Sequence, residues 1–181
     1  MALRNIVTIG GFGEEALHKK AREIKRFDER LKTLAEDMIE TMHANDGIGL
    51  AGNQVGMLKR MFVMNVEPDY ERGKDLVVIN PQLSDLEGED IDFEGCLSLP
   101  QKYGRVKRAS KLRLTYQDLT GEKHELEAEG LMARCIQHEY DHLDGIMFTE
   151  KMIGPLVSQQ ELEAQAEANR AHNKTEGRDE K

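Results

Sequence analysis

The amino-acid sequence predicts an α+β fold: small antiparallel or mixed β-sheets packed around one central helix, with an N-terminal and a C-terminal helix. Two long stretches carry apolar residues at helical spacing, and short alternating segments lie between them. No internal repeat or interdomain linker interrupts the 181 residues, a length typical of one domain. We therefore expect a single domain over residues 1–155, a helix over 156–172 and a disordered tail over 173–181.

The N-terminal helix is predicted by apolar residues at helical spacing, which are Phe27, Leu31, Leu34, Met38 and Met42. Asp28 is a candidate N-cap, and the helix should end near Asp46-Gly47. Its methionines are expected to fill the core rather than bind a ligand. Strands are predicted next at residues 60–66 and 76–80.

A β-hairpin and the central helix are predicted in the second half of the chain. Residues 112–117 and 122–128 alternate around Asp118-Leu119-Thr120-Gly121, a typical hairpin turn. The helical period then runs from Gly130 to Leu143, and Gly145 lies where a C-terminal cap would place it. The C-terminal helix is indicated by Leu156, Val157, Leu162 and several alanines.

Composition and charge exclude several classes of protein. The net charge of −9, from 25 basic and 34 acidic residues, disfavours nucleic-acid binding through the whole surface. No apolar run approaches the length of a membrane span, and the first residues lack the pattern of a signal peptide. Two cysteines argue against a disulfide framework and for a reducing compartment. We expect a cytoplasmic protein without a membrane partner and without sequence-specific nucleic-acid binding.

The most informative motif is His138-Glu139-Tyr140-Asp141-His142, which lies on the predicted central helix. Histidines four residues apart share one helix face, so both imidazoles can reach one divalent metal. Glu139 could then handle a proton of metal-bound water, as in metal-assisted hydrolases. The pentapeptide alone also fits two ordinary histidines. Asp141 is either a solvated helix residue or a residue that orients a ligand imidazole.

A third metal ligand must come from elsewhere, and the chain offers two cysteines. Cys135 shares the helix face, but the metal would lie about 7 Å further along the helix axis. Its short side chain tilts away from that point, so Cys135 is expected to be a small buried apolar residue. Cys96 lies in Glu94-Gly95-Cys96-Leu97-Ser98, which we interpret as irregular, with Gly95 freeing the backbone. A thiolate with two imidazoles suits zinc or ferrous iron. The alternative is that Cys96 is an inert buried thiol.

The third notable segment is rich in glycine and runs from Gly47 to Gly56. It lacks the Gly-Lys-Ser/Thr of a phosphate loop and the glycine spacing of a dinucleotide fold. Gln54 offers a neutral amide donor that could stabilise an oxyanion. Taken alone, the segment also fits a plain loop between a helix and a strand.

Taken together, the three segments resemble the peptide deformylases. The family motifs correspond to Gly47–Gln54, Glu94–Ser98 and His138–His142, in that order. The chain departs from the family at Gly52, where an alanine is usual, and at Gln101, where a glycine is common. The resemblance runs from the first helix to about residue 150. It implies that the domain over 1–155 is catalytic, and that its substrates are N-formylmethionyl peptides, cleaved to formate and a free amino terminus.

The resemblance also implies roles for individual residues. The metal ligands would be Cys96, His138 and His142, with water in the fourth position. Glu139 would be the general base and then the acid, while Gln54 and the backbone N–H of Leu97 would stabilise the oxyanion. The native metal would be ferrous iron, with zinc, nickel or cobalt replacing it in purified protein.

For the substrate, the resemblance places Ile48, Leu131 and Cys135 near the methionine pocket, and Gly49 where its backbone could bind the peptide. Glu94 and Arg108 match a charge pair that braces the cysteine segment. Some deformylases dock on the ribosome through a basic C-terminal helix. Here that segment is acidic, with Glu161, Glu163 and Glu167, so docking near the ribosomal exit tunnel does not carry over directly.

Two other functions compete with this interpretation. A zinc peptidase of the His-Glu-x-x-His type would usually take a third His or Glu downstream, where the chain offers a carboxylate but no strong pattern. A structural metal module would need a fourth protein ligand, which the motifs do not supply. The other histidines show no ligand spacing and are interpreted as surface residues: His18, His43, His124 and His172.

Overall fold

The computed structural model describes residues 2–66 and 75–176. In chain order the helices and strands are α1 (Glu29–Ala44), β1 (Gly49–Ala51), β2 (Met61–Met64), β3 (Leu76–Glu87), β4 (Asp90–Cys96), β5 (Leu99–Arg108), β6 (Lys111–Gln117), β7 (Lys123–Glu129), α2 (Gly130–Leu143), β8 (Met152–Ser158) and α3 (Gln159–Glu176). The predicted α+β class is confirmed.

Two antiparallel sheets form the framework. The larger sheet has the strand order β1-β2-β3-β6-β7, and the smaller has the order β4-β5-β8. The predicted hairpin joins β6 to β7, where the Gly121 N–H donates to the Asp118 carbonyl over 3.0 Å. All strand pairs in the described sheets are antiparallel, which narrows the prediction of antiparallel or mixed sheets.

Helix α1 forms as the sequence predicts. The Asp28 side chain caps its first turn by accepting a hydrogen bond from the Leu31 N–H over 3.1 Å. The apolar face of α1 packs on the larger sheet together with Leu50, Met61 and Val63. The methionines of this helix are fully buried in the core, as expected.

Helix α2 packs on the opposite face of the same sheet. Because side chains alternate along a strand, Met61 and Val63 of β2 pack with α1, whereas Phe62 and Met64 pack with α2. The other side of α2 contacts the smaller sheet, since Arg134 donates to the Val106 carbonyl of β5. The central helix is therefore enclosed between the two sheets.

The segment that we interpreted as irregular is largely a strand, so that interpretation was wrong. Glu94, Gly95 and Cys96 end β4, and the register shifts between Gly95 and Cys96 so that Cys96 faces Leu99 of β5. The inward-facing residue of β4 is the charged Glu94, which hides the apolar alternation typical of a strand. The glycine-rich segment also contains a short strand, β1, followed by a 3-10 turn over Gly52–Val55.

The C-terminal helix begins later than predicted. Residues 156–158 belong to β8 because Val157 and Ser158 pair with Tyr103 and Lys102 of β5. Helix α3 then runs from Gln159 to Glu176, rather than over 156–172. Of the predicted tail, residues 173–176 continue this helix and 177–181 lie outside the described residues. The boundary at residue 155 stays a prediction. None of the described helices is long and apolar enough to span a membrane.

Candidate active site

Three potential metal ligands converge where β4 meets α2. His138 and His142 lie one turn apart on α2, and their Nε2 atoms are 3.2 Å apart. The Cys96 Sγ atom, at the end of β4, lies 3.3 Å from His142 Nε2. Ligand bonds of about 2.0–2.3 Å in a tetrahedral site require similar separations between donor atoms. One thiolate and two imidazoles therefore fit a single divalent transition metal.

A buried carboxylate fixes the orientation of the first histidine. Glu94 Oε2 lies 2.9 Å from His138 Nδ1, so an N–H on Nδ1 leaves the Nε2 lone pair facing the other ligands. Arg108 holds Glu94 through two hydrogen bonds, Nε to Oε1 (2.8 Å) and Nη2 to Oε2 (2.9 Å). Burial alone would raise the pKa of Glu94, but the contacts from Arg108 and His138 outweigh it and hold that pKa well below its usual range.

Asp141 does not orient a ligand imidazole, nor is it solvated. Its carboxylate is buried and pairs with Arg108 Nη1 at 2.6 Å and with Lys151 Nζ at 2.7 Å. Arg108 therefore bridges Asp141 to Glu94, and Glu94 contacts the histidine. Within the described part of the chain, His142 Nδ1 is buried without a hydrogen-bond partner. Burial, His138 and Arg108 lower the pKa of His142 well below its ordinary value, so the ring is neutral, as a metal ligand must be.

Glu139 is buried beside the three potential ligands. Burial raises its pKa to about 7, against the opposing influence of His138. Its Oε2 atom has no hydrogen-bond partner among the described residues. Gly49 of β1 packs directly on this carboxylate, where a Cβ atom would lie 2.8 Å from Glu139 Cδ. A carboxyl group with a pKa near neutrality can both accept and return a proton.

Gln54 joins the glycine-rich segment to the end of β4. It is almost fully buried, and its Oε1 atom accepts a hydrogen bond from the Ala51 N–H over 2.9 Å. Its Nε2 atom donates to Ser98 Oγ at 3.2 Å and to Cys96 Sγ at 3.4 Å. The amide donor is therefore fixed beside the proposed ligands, and Leu97 follows Cys96 in the adjoining turn.

A cavity of about 670 Å³ opens onto these groups. Among its lining residues are all four predicted substrate contacts, Ile48, Gly49, Leu131 and Cys135. The Cys135 thiol is buried and lies 3.6 Å from the Ile48 carbonyl, whereas Leu131 is exposed at the rim. The cavity thus combines an apolar wall with a polar end that holds Glu139, Gln54 and Cys96.

Among the cavity residues that sequence reasoning missed are Phe93, Tyr103 and Arg134. Phe93 and Tyr103 come from β4 and β5, strands that were not predicted. Arg134 lies four residues before His138 on α2, so helical spacing was a signal that could have identified it.

A model of the polypeptide deformylase family matches residues 4–156. The chain belongs to the polypeptide deformylase family. It is 47% identical over 151 residues to a peptide deformylase of Clostridium botulinum, covering 83% of this chain and 97% of the relative. A peptide deformylase of Caldicellulosiruptor bescii is 44% identical over 163 residues, covering 90% of this chain and 93% of the relative.

Solved structures agree with the sequence relatives. The peptide deformylase of Thermotoga maritima superposes with a TM-score of 0.78 at 37% identity, covering 85% of this chain and 100% of that one. The peptide deformylase of Thermus thermophilus superposes with a TM-score of 0.75 at 44% identity, covering 93% of this chain and 94% of that one. This deformylase is therefore a metal-dependent hydrolase that removes the N-terminal formyl group from nascent polypeptides. Membership of this family excludes the two competing functions, the zinc peptidase and the structural metal module.

Proposed function

We propose that deformylation takes place at the convergence of Cys96, His138 and His142, and that these three residues hold the metal. The observation that carries the proposal is the approach of three soft donor atoms beside a buried carboxyl group. When bound, a divalent cation would supply Lewis acidity, lowering the pKa of a water nucleophile and polarising the formyl oxygen. A donor set of this softness accepts iron, zinc, nickel or cobalt. The family resemblance favours ferrous iron as the native metal, with the other three as substitutes.

Glu139 acts as the proton carrier of the reaction. It takes a proton from the attacking water and delivers it to the leaving amine, which then becomes the free amino terminus. Its pKa of about 7 supports both transfers, because neither protonation state is strongly disfavoured at neutral pH.

Gln54 and Leu97 stabilise negative charge on the formyl oxygen. The Gln54 amide is oriented by its bond from the Ala51 N–H, so its Nε2 donor costs little reorganisation when charge develops. The backbone N–H of Leu97 is the second donor. Each such donor typically contributes about 3 kcal/mol to lowering the barrier.

The apolar wall of the cavity binds the methionine side chain. Ile48, Leu131 and Cys135 line this wall, and the Gly49 backbone borders the path of the peptide. The Arg108–Glu94 pair supports the site from behind, since Glu94 orients His138 and braces the strand that carries Cys96.

A formate-release assay tests the central proposal. The protein is loaded anaerobically with ferrous iron and incubated with formyl-Met-Ala and, as a matched control, with acetyl-Met-Ala. We expect formate from the first peptide and no cleavage of the second. A metal-replete sample that releases no formate would refute the proposed function. Parallel loading with zinc, nickel and cobalt ranks the metals by kcat/KM.

We further propose that this deformylase works in the cytoplasm and associates with the ribosome, where nascent chains emerge. Both cysteines are free thiols, which suits a reducing compartment. Residues 19–32 carry seven basic and three acidic side chains on a chain whose net charge is −9. A second cavity, of about 410 Å³, is lined by Arg22, Lys25, Arg26 and Lys59, among others. In the described part of the chain these four cations form no ion pair, which leaves them available to RNA phosphates.

Pelleting with ribosomes separates this basic segment from the acidic α3. Removing residues 159–181 should leave pelleting unchanged, while Arg22→Glu, Lys25→Glu and Arg26→Glu together should abolish it. Lys111→Glu, Arg113→Glu and Lys123→Glu provide a control with the same change in charge. Equal loss in both triple variants would exclude a specific role for residues 19–32.

A further inference from the structure

Arg134 is a buried charged residue for which the proposed reaction has so far given no role. Its side chain is only 7% exposed, and it donates hydrogen bonds to residues of β4 and β5. Nη1 donates to Glu94 Oε1 and to the Val106 carbonyl, each over 2.9 Å. Nη2 donates to the carbonyl and the carboxylate of Asp90, each over 3.0 Å. The guanidinium therefore links helix α2 to the strand that ends in Cys96.

The contact with Glu94 is the informative one. Arg108 already binds both carboxylate oxygens, and Arg134 adds a second guanidinium on Oε1. Glu94 Oε2 is left to face His138 Nδ1 at 2.9 Å. The carboxylate is thus held by two guanidiniums. Among the described residues, the one imidazole that hydrogen-bonds to it is His138, which lies one turn beyond Arg134 on the same helix.

The geometry points to Arg134 as a positioning residue that sets metal affinity by holding Glu94 in register with His138. This inference rests on the proposed metal site. A carboxylate that orients a ligand imidazole fixes its tautomer and raises its basicity, and losing such a partner typically weakens metal binding about 10- to 100-fold. Arg108 binds both carboxylate oxygens from β5, whereas Arg134 binds Oε1 from the helix that carries His138 and so ties the carboxylate to that helix.

The test measures zinc affinity by competition with a chelator, together with the absorption spectrum of the cobalt-loaded protein. Arg134→Met should bind zinc about 10- to 100-fold more weakly than wild type and shift the cobalt bands. Arg134→Lys, which keeps one donor, should recover part of the affinity. Asp90→Asn removes the half-exposed partner of Arg134 but keeps the Glu94 contact, and should retain wild-type affinity. Arg113→Met, on the exposed face of β6, is the matched control.

A double-mutant cycle separates positioning from general structural support. If Arg134 acts through Glu94, then Arg134→Met added to Glu94→Gln should weaken zinc binding no further than Glu94→Gln alone. Thermal unfolding checks that each variant is folded. If Arg134→Met does not fold, the zinc affinity of Arg134→Lys is compared with that of wild type instead. Wild-type zinc affinity in Arg134→Met or Arg134→Lys, or full additivity with Glu94→Gln, would overturn the inference. A wild-type chain that takes up no zinc would refute the proposed metal site itself, and this inference with it.

Discussion

Helices α1 and α2 pack on opposite faces of one sheet and bury very different side chains. The buried face of α1 is mainly apolar: Leu31, Leu34, Ala35, Met38 and Met42, with Asp37 and Thr41. The buried face of α2 is largely polar or charged: Arg134, Gln137, His138, Glu139, Asp141 and His142, with Ala133, Cys135, Ile136 and Leu143. Both helices are amphipathic, yet only α1 gains most of its stability from apolar burial.

The difference indicates what each helix contributes. Burying polar groups is unfavourable unless each one has a partner, so α2 depends on charged residues of β4 and β5. The buried polar groups of α2 therefore contribute more to the chemistry of the site than to the free energy of unfolding. Substitutions in α1 should therefore lower the free energy of unfolding without changing catalysis. Substitutions around α2 should change catalysis or metal binding more than the free energy of unfolding.

The largest effect is expected when Cys96, the proposed third metal ligand beside the α2 histidines, is replaced. Cys96→Ala should lose the metal and reduce deformylation to background, because two imidazoles alone bind a divalent ion far more weakly. Metal content after gel filtration and formate release measure this. Cys135→Ala is the matched control, since that thiol contacts Ile48 and none of the proposed ligands, and it should keep its metal. Metal loss in Cys135→Ala instead would reverse the assignment of the two cysteines.

Glu139→Ala should separate catalysis from stability most clearly. We expect kcat to fall about 10²- to 10⁴-fold while the metal is retained, because a general base is lost but no ligand is. The free energy of unfolding should stay constant or rise, since Glu139 Oε2 is buried without a partner in the described structure. Stopped-time assays, metal analysis and urea unfolding test the three parts. A near-normal kcat would remove Glu139 from the mechanism.

Met38→Ala tests the opposite half of the comparison. Met38 is fully buried in the core between α1 and the larger sheet. Its truncation should lower the free energy of unfolding by about 2–5 kcal/mol, through lost apolar burial and a residual cavity. Below the unfolding transition, kcat and metal content should match wild type. A large fall in kcat at full folding would show that the two helices are not independent.

Gly49→Ala should lower kcat by up to about 100-fold, because displacement of a catalytic group by about 1 Å has effects of that size. A Cβ atom at this position would overlap the Glu139 carboxylate, although the backbone of Gly49 is ordinary for a strand. The control is the same change in a Glu139→Ala background, where the overlap disappears and Gly49→Ala should have no further effect. An equal fractional loss in both backgrounds would mean that Gly49 acts on the peptide rather than on Glu139.

Apolar periodicity predicted the elements whose buried residues are apolar. It identified α1 with its Asp28 cap, the β6–β7 hairpin and the start of α2 at Gly130. It failed at β4, where the buried residue is Glu94, because a charged residue on the inner face hides the pattern. His43 was interpreted as a surface residue because it lacks ligand spacing, but its side chain is only 11% exposed and its Nε2 lies 2.7 Å from Asp75 Oδ1. Such pairings depend on tertiary contacts that no local pattern records.

The proposed site also has a part that the sequence predicted and a part that it did not. Motif spacing and side-chain reach singled out Cys96, His138 and His142, and the structure brings their donor atoms together. The partners of those proposed ligands could not be inferred from spacing: Asp141 was expected either to be solvated or to orient an imidazole, yet it binds Arg108 and Lys151. Glu94 reaches His138 across 44 positions of sequence, so only the packing of β4 against α2 reveals that contact.

The smallest expected effect concerns Asp37, the charged exception on the buried face of α1. A hydrogen bond from the Ala2 N–H, and then Arg4, lower the pKa of Asp37 below its ordinary value despite burial. A lowered pKa means that the carboxylate stabilises the fold above about pH 4, and that this contribution is lost as the pH falls through the folded-state value.

Asp37→Asn should therefore lower the free energy of unfolding at pH 7 by at most about 1 kcal/mol, since its partner Arg4 is 36% exposed and screened by solvent. The difference from wild type should shrink steadily below about pH 4, where the wild-type carboxylate also becomes neutral. Urea unfolding at pH 3, 5 and 7 measures this, with Glu36→Gln, a less buried acidic residue of the same helix, as the control. A difference that stayed constant with pH would show that Asp37 contributes through hydrogen bonding alone. The buried charge of α1 would then act on stability independently of its ionisation, unlike the charged residues around α2.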